Sequence, residues 1–478
     1  MANPPTTRTG KEVVSHVDDP LPPLWLKRSL SNRPRKNASD PSQGVFEGRF
    51  GESPLKQTLL DRIARAREVL LLSTFLIADP ELEAALMNAA QHGVRIYLMT
   101  ASENRLKSER REDSENEPDR FEEHSRFLRR LAGRVLVRTG EDLHAKFIVA
   151  DPNSRSTVAL LSTANFTTKA LAENPELGIS LEEDEARDLA RLFQCGFWHQ
   201  AKHELIEDGP LLDIKPLGGP PPLPKALPYT ALGKTPLREA LVSAFAKAED
   251  EIWFTCYGFE PDHQCTLVLL EAIKRGVRAH IMTRPREKGN AAVKHTDALI
   301  ALAKAGAEVR GHFDLHGKAL VWTQKGEVHG LVMTSNMTTL GLDQGFEAAA
   351  ILHGSRAVAV RELLQNWWES MPWEFRATAH VGQVTGSAKL WRSPFLEDAA
   401  VSEEAPEQHL GRIYAKTPEE MGKAKPSSFP PLKASGKNTF YHRIPYLWEV
   451  VLREEVKRKE PVTAPADSDT SKPAQATD

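Results

Sequence analysis

The chain has 478 residues, 40% hydrophobic and 27% charged, with 62 lysines and arginines against 65 aspartates and glutamates for a net charge of −3. That apolar fraction can build real cores, so global disorder is excluded, and the length gives room for about three domains or two large ones. Near-neutral charge means that any nucleic-acid contact must come from a local basic patch.

No apolar run reaches the roughly eighteen residues a membrane-spanning helix needs, and the start, MANPPTTRTGKEVV, has no apolar stretch of a secretory signal. The expectation is a cytoplasmic protein without membrane insertion. Cys195, Cys256 and Cys265 are too few and too irregular for a disulfide framework, and neither CxxC nor HExxH occurs.

Three segments carry proline in place of an apolar period. Residues 1–45 hold seven prolines and read as disordered or extended. Residues 206–236 hold eight and read as a linker. The tail 457–478 is polar and proline-spaced and reads as disordered. Proline continues neither a helix nor a strand ladder, so such stretches stay extended.

The units on either side of the linker, 46–205 and 237–375, repeat one another. Residues 66–100 (AREVLLLSTFLIADPELEAALMNAAQHGVRIYLMT) and 248–283 (AEDEIWFTCYGFEPDHQCTLVLLEAIKRGVRAHIMT) each read as strand, helix of about twelve residues, glycine stop and strand. The glycines, Gly93 and Gly276, suit a left-handed helix end. A crossover of that length implies a parallel strand pair in an α/β layer fold. The copies then diverge: 103–124 is a charged insert of nine acidic and five basic residues, read as a solvated helix or loop, or as a lid. They rejoin at LHAKFIVAD and LHGKALVWT, each a β-hairpin leading to a short segment and a further strand. Each copy closes on an amphipathic helix, around RLFQCGFWHQ and ELLQNWWESM, whose apolar positions read as core. Residues 376–456 have no counterpart in the repeat; they pack back or bind a partner protein.

Four polar types recur at matched offsets. His144 and Lys146 sit two apart in an extended run, so both leave the same strand face, and His316 and Lys318 do the same. Asn165 and Asn336 follow, and Glu176 and Glu347 lie eleven residues after each asparagine. Thr163 and Thr334 also match, whereas Ser162 faces Met333 in the second copy.

These residues resemble the phospholipase D superfamily. The first copy has the His-x-Lys-x4-Asp motif in full as His144, Lys146 and Asp151; the second departs at Thr323, where the motif has Asp. The resemblance covers roughly residues 50–375. It implies an α/β fold of two fused phospholipase D-like domains related by a pseudo-twofold axis, with mixed sheets flanked by helices and one composite active site, so that a monomer is sufficient and a dimer is allowed. It also implies the N-terminal histidine, His144, as nucleophile and His316 as acid.

The chemistry of the residue types agrees. Four donors, Lys146, Lys318, Asn165 and Asn336, can grip the non-bridging oxygens of a phosphodiester and stabilise the charge that grows on them. One imidazole can form a phosphohistidine while the other protonates the leaving oxygen and then activates water. Glu176 and Glu347 would each orient one imidazole, with Asp151, Ser162, Thr163 and Thr334 in support. This scheme needs no metal and no cofactor. The Asn-x-Thr-Thr form of both copies is similar to the nuclease-like branch, including members linked to helicases and restriction systems. The lead expectation is therefore a metal-independent nuclease on DNA or RNA in a prokaryotic defence context, with a helicase or other defence component as partner through 376–456. A phospholipase D or phosphatidyltransferase on lipids stays open, as does an inactive nucleic-acid-binding or scaffold module. Arg284, Arg286, Lys288 and Lys294 follow a strand at the edge where α/β sites open, and are the candidate nucleic-acid contacts.

Overall fold

The computed structural model describes residues 23–28, 30, 37–49, 53–106, 120–155, 157–207, 211–286 and 290–380, with backbone segments at 6–7, 20–21, 386–391 and 447–452. Most of 376–456, all of 457–478 and Lys288 lie outside the described residues.

The first half contains β1 (Leu24–Lys27), β2 (Val45–Glu47), α1 (Pro54–Arg65), β3 (Val69–Ser73), α2 (Pro80–Gln91), β4 (Arg95–Ala101), α3 (Arg120–Leu131), β5 (Leu136–Gly140), β6 (Phe147–Ala150), β7 (Val158–Ser162), β8 (Leu177–Glu182), α4 (Glu183–Cys195), β9 (His203–Leu205) and β10 (Leu211–Asp213). The second contains β11 (Tyr229–Thr230), α5 (Pro236–Lys247), β12 (Glu251–Thr255), α6 (Gln264–Lys274), β13 (Arg278–Thr283), α7 (Asn290–Lys304), β14 (Glu308–Gly311), β15 (Ala319–Gln324), β16 (Glu327–Met333), β17 (Glu347–His353), α8 (Gly354–Ser370) and β18 (Trp373–Arg376).

Each half builds the same six-strand core. In one sheet the order is β5-β4-β3-β6-β7-β8, in the other β14-β13-β12-β15-β16-β17. The first three strands of each run parallel and the rest antiparallel. The parallel pairs follow from the crossovers read in the sequence. Helix α2 starts on Asp79, whose carboxylate accepts from the Glu81 and Leu82 amides, and its end is relieved at Gly93 with φ 84°. In the second copy Gly276 does the same with φ 100°.

Three apolar layers hold the halves. Helices α1, α2 and α3 cover the outer face of the first sheet through Leu59, Leu86, Phe127 and Leu131. Helices α5, α6 and α7 cover the outer face of the second through Leu241, Phe245, Leu269 and Leu302. Between the sheets lies one shared core: α4 and α8 pack with Phe147, Val149 and Leu161 of one sheet and Val321, Val332 and Ala350 of the other. Phe193, Phe197 and Trp367 are fully buried there. At about 1.5–3 kcal/mol per buried large side chain, this layer far outweighs a flexible connector, so the halves are one body. The closing helices are thus core elements, as their apolar spacing indicates.

Two proline-rich parts of the chain are extended and anchored into the fold. The stretch 1–45, read as disordered or extended, supplies β1, which pairs antiparallel with β18 of the second half and buries Trp25 completely. The stretch 206–236 is extended but anchored: β10 adds to the first sheet, β11 pairs with β17, and the Asp188 carboxylate accepts from the amides of Lys225, Ala226 and Leu227. The charged insert also proves not to end the repeat. Its last residues open α3, which matches α7: His124, Leu128 and Leu131 on one stand where His295, Leu299 and Leu302 stand on the other, all buried. Residues 107–119, where a lid was considered, lie outside the described residues.

Candidate active site

Both His-x-Lys segments lead into central strands, β6 and β15, and both dock on the opposite half through the backbone. The amides of His144 and Ala145 donate to the Phe346 carbonyl at 3.2 and 2.8 Å. The amides of His316 and Gly317 donate to the Pro175 carbonyl at 3.3 and 2.8 Å. Phe346 and Pro175 each precede a glutamate, so this docking delivers each carboxylate to the other half's imidazole. His144 Nδ1 lies 2.8 Å from Glu347 Oε1, and His316 Nδ1 lies 2.7 Å from Glu176 Oε1. The sequence assigned one glutamate per imidazole; the structure shows that the pairing is crossed.

Each carboxylate has a second partner. Thr163 donates to Glu176 Oε2 at 2.5 Å, and Thr334 donates to Glu347 Oε2. The matched threonines therefore fix the carboxylates. With each carboxylate accepting at Nδ1–H, the tautomer that fits the network leaves Nε2 as the acceptor on each imidazole, and the side chains remain 20% and 18% exposed. Phe75 and Tyr257 hold the rings edge-on at 5.2 and 5.3 Å between centroids.

Lys146 and Lys318 are fully buried. Lys146 Nζ donates to the His144 carbonyl at 2.5 Å and Lys318 Nζ to the His316 carbonyl at 2.6 Å; Lys318 Nζ also lies 3.1 Å from both nitrogens of the His316 ring. Asn165 and Asn336 stand at the ends of the matched loops, and the side-chain carbonyl oxygen of each is buried without a partner. A buried orphan acceptor costs about 1–3 kcal/mol, and it recurs at both matched positions.

Electrostatics tie the groups into one site. Burial is the largest influence on each imidazole and, with the ammoniums of both lysines, outweighs the facing carboxylate, holding His144 and His316 down at about 4. That Lys318 acts on His144 and Lys146 on His316 shows that the two motifs share one field. Burial pushes the carboxyls of Glu176 and Glu347 up, but the facing imidazoles, the lysines and the threonine hydroxyls together win and hold both below the usual range. Burial lowers Lys318 below an ordinary ammonium. The resting site thus has neutral imidazoles, ionised glutamates and a concentrated positive charge ready for an anion.

Other predicted residues fall elsewhere. Asp151 is not at the imidazoles but at the far end of β6, where its carboxylate accepts from the amides of Arg67, Glu68 and Val69 at 2.9, 2.7 and 2.9 Å. Thr323 takes that task in the second half: its hydroxyl accepts from the Asp250 and Glu251 amides at 3.3 and 3.1 Å. The departure from the motif is therefore a change of loop anchor. Ser162 accepts from the Ala164 amide at 3.0 Å and shapes the loop before Asn165. Arg284 and Arg286 lie over the Tyr257 ring at 5.4 and 4.3 Å. Lys294 pairs with Glu260 at 3.2 Å on the rim of a separate cavity of about 270 Å³.

Sequence reasoning missed four contributors, in two matched pairs. Phe75 and Tyr257 match in the repeat, and so do His124 and His295, whose rings accept from the Ile77 and Phe259 amides at 3.1 and 3.3 Å. The shared His-x3-Leu-x2-Leu spacing was the available signal. No group of three or more metal-ligating side chains occurs among the described residues. No described helix is long and apolar enough to cross a membrane.

Two imidazoles, each braced by the opposite half's carboxylate and each in the field of both buried lysines, form one candidate site assembled from a duplicated fold. The family model "Cardiolipin synthase, PLD-like domain" matches residues 59–199 and 241–371, and the chain belongs to this phospholipase D-like family, with activity of the phosphodiesterase or phosphotransferase type. No curated protein sequence matches significantly. Among solved structures, phosphatidylserine synthase from Haemophilus influenzae Rd KW20 is 10% identical with a TM-score of 0.50, covering 84% of this chain and 97% of its own, and shows the shared fold. Nuc, a phospholipase D family member from Salmonella typhimurium, is 22% identical with a TM-score of 0.27, covering 31% of this chain and 96% of its own. Polyphosphate kinase from Porphyromonas gingivalis is 16% identical with a TM-score of 0.43; the match covers 64% of this chain and 44% of the kinase.

Proposed function

We propose that the chain hydrolyses phosphodiesters of nucleic acid without a metal, through a phosphohistidine on His144. The observation that carries the reading is the crossed pair, His144–Glu347 and His316–Glu176, because it gives two oriented imidazoles in one field. The substrate anion supplies the negative charge that the lysine cluster lacks. Its arrival raises the pKa of both imidazoles, which lets His316 carry a proton when the diester is bound.

The step then balances. The lone pair of His144 Nε2 attacks phosphorus, the bond to the leaving oxygen breaks, and His316 gives its Nε2 proton to that oxygen. In the second step neutral His316 takes a proton from water. The resulting oxygen nucleophile forms the new P–O bond, and the P–N bond electrons return to His144. Lys146, Lys318 and the amide groups of Asn165 and Asn336 hold the non-bridging oxygens through both steps. Glu347 keeps His144 aimed and stabilises the charge it acquires; Glu176 does this for His316.

Nucleic acid is favoured by Arg284 and Arg286 on the Tyr257 ring beside His316 and by the Asn-x-Thr-Thr form of both loops. A lipid substrate has the description of the matching family model in its favour. The test is a parallel assay in EDTA of single- and double-stranded DNA, RNA and phosphatidyl lipids with wild type and His144→Ala. Nucleic-acid cleavage lost in the variant is the expected result. Headgroup release from lipid without nucleic-acid cleavage overturns the substrate; turnover of either by His144→Ala overturns the mechanism.

A further inference from the structure

The two halves match at the histidines, lysines, threonines, asparagines and glutamates of the site, so a place nearby where they stop matching is informative. The strand pairing fixes the register: Ser73 faces Met99 in the first half and Thr255 faces Met282 in the second. Counting from there, Phe75 corresponds to Tyr257, Ala101 to Arg284 and Glu103 to Arg286. At these positions the first half therefore carries an alanine and an acid where the second carries two arginines.

The arginine wall is built, not incidental. Tyr257 is buried with its ring edge on His316, and Arg286 covers that ring at 4.3 Å. Arg286 packs on Gly258, where an added Cβ would come 3.2 Å from a terminal nitrogen and the guanidinium would have to give by a few tenths of an ångström. Fully buried His295 braces the same loop, accepting from the Phe259 amide at 3.3 Å and hydrogen-bonding the Arg284 backbone. The Nε atom of Arg286 is buried without a partner, and no ion pair to it occurs among the described residues. Its charge also bears on the buried Lys318 ammonium. Such like-charge crowding beside the phosphate cradle is destabilising in the resting protein and is relieved by an anion.

In-line displacement gives this asymmetry a direction. Attack by His144 puts the departing oxygen on the opposite side of phosphorus, next to His316 and hence next to the arginine wall. Resting on the function proposed above, we infer that Tyr257, Arg284 and Arg286 form the subsite of the leaving fragment, and that this fragment is itself polyanionic, with a second phosphate seated on the two guanidiniums. The fragment retained on His144 lies on the side whose matching positions, Ala101 and Glu103, offer no guanidinium. The site thereby distinguishes the two ends of a strand, which the twofold chemistry at its centre cannot do.

The experiment compares wild type with the Arg284→Gln/Arg286→Gln double variant on two diesters in EDTA: a single-stranded 20-nucleotide DNA, and bis(p-nitrophenyl) phosphate, whose leaving group carries no phosphate. The kcat/KM ratio of DNA to small diester should fall at least tenfold in the double variant. The salt slope on this single strand should fall by about 0.7, for the one phosphate that loses its seat. In base-quenched single turnovers with DNA, adduct formation should slow more than tenfold while adduct decay changes less than twofold, because the leaving fragment has gone by then. Equal losses on both substrates, or slowed decay with unchanged formation, overturn the subsite. Wild-type DNA cleavage with an unchanged ratio overturns the subsite alone; wild type that cleaves the small diester but no nucleic acid overturns the substrate reading and the subsite together.

Discussion

Replacing Glu347 by Gln removes one charge and almost no volume, so it isolates what the crossed carboxylate does. Glu347 is 2% exposed and lies 2.8 Å from His144 Nδ1. A hydrogen bond to a charged group is worth about 1.5–3 kcal/mol, and the imidazole of His144 becomes cationic as the P–N bond forms, when that interaction is strongest. The analogous loss of a buried carboxylate behind a catalytic histidine costs about four orders of magnitude in kcat. Here the lysines already disfavour the imidazolium, so kcat should fall by about 10²–10⁴. The loss should fall on adduct formation, since that is the step in which His144 gains charge. The carboxylate also raises the pKa of His144, so its removal drives that imidazole further below about 4. The assay is rapid-quench detection of the covalent adduct and of product, with urea unfolding to show that the variant is native. A folded Glu347→Gln enzyme within threefold of wild-type kcat would refute the reasoning, as would a defect confined to adduct decay.

Stability should depend on pH in a window set by the imidazoles. Both are held near 4 in the folded protein against 6.5 unfolded. The unfolded chain therefore takes up protons first, and folding weakens as pH falls from 6.5 to 4, by up to about 3 kcal/mol per histidine. A flat urea-unfolding free energy across that window contradicts the burial argument. Asp151→Asn should lower stability by about 1–3 kcal/mol through its loop amides while kcat on a small diester stays within twofold; a hundredfold loss of kcat would return Asp151 to the site. His316→Ala should retain the ability to form adduct with an activated leaving group and release it at least a hundredfold more slowly, read by base-stable radiolabel on the protein. Gly317→Ala should disrupt site and interface together, because its Cβ would fall 2.5 Å from the Trp367 ring; an unfolding midpoint within 1 °C of wild type contradicts that packing.

Much of the site was legible because duplication doubles every signal. A single His-x-Lys pair means little, but His144, Lys146, Asn165 and Glu176 recurring as His316, Lys318, Asn336 and Glu347 cannot be scattered surface polarity. The crossing was illegible, because each glutamate reaches its imidazole across 203 or 140 residues of chain through backbone docking that no local pattern encodes. The third helix of the first half was hidden by its charges. The buried set His124, Phe127, Leu128 and Leu131 has helical spacing, but nine acidic residues at and before its start read as solvated. The strand around Trp25 is four residues long and follows Pro22 and Pro23, so proline content outweighed an apolar signal too short to show a period. For Asp151 the sequence indicated a supporting role without saying what it supports; its place after β6 puts it at the far end of that strand, on the amides of Arg67, Glu68 and Val69.

Peptide mapping of the protein after base quench during turnover of DNA in EDTA bears most directly on the shared site. Phosphate on the peptide holding His144, absent in His144→Ala and accumulating in His316→Ala, is what two imidazoles flanking one phosphorus require. Turnover without any phosphorylated histidine, or phosphate on a residue outside the two motifs, contradicts the account.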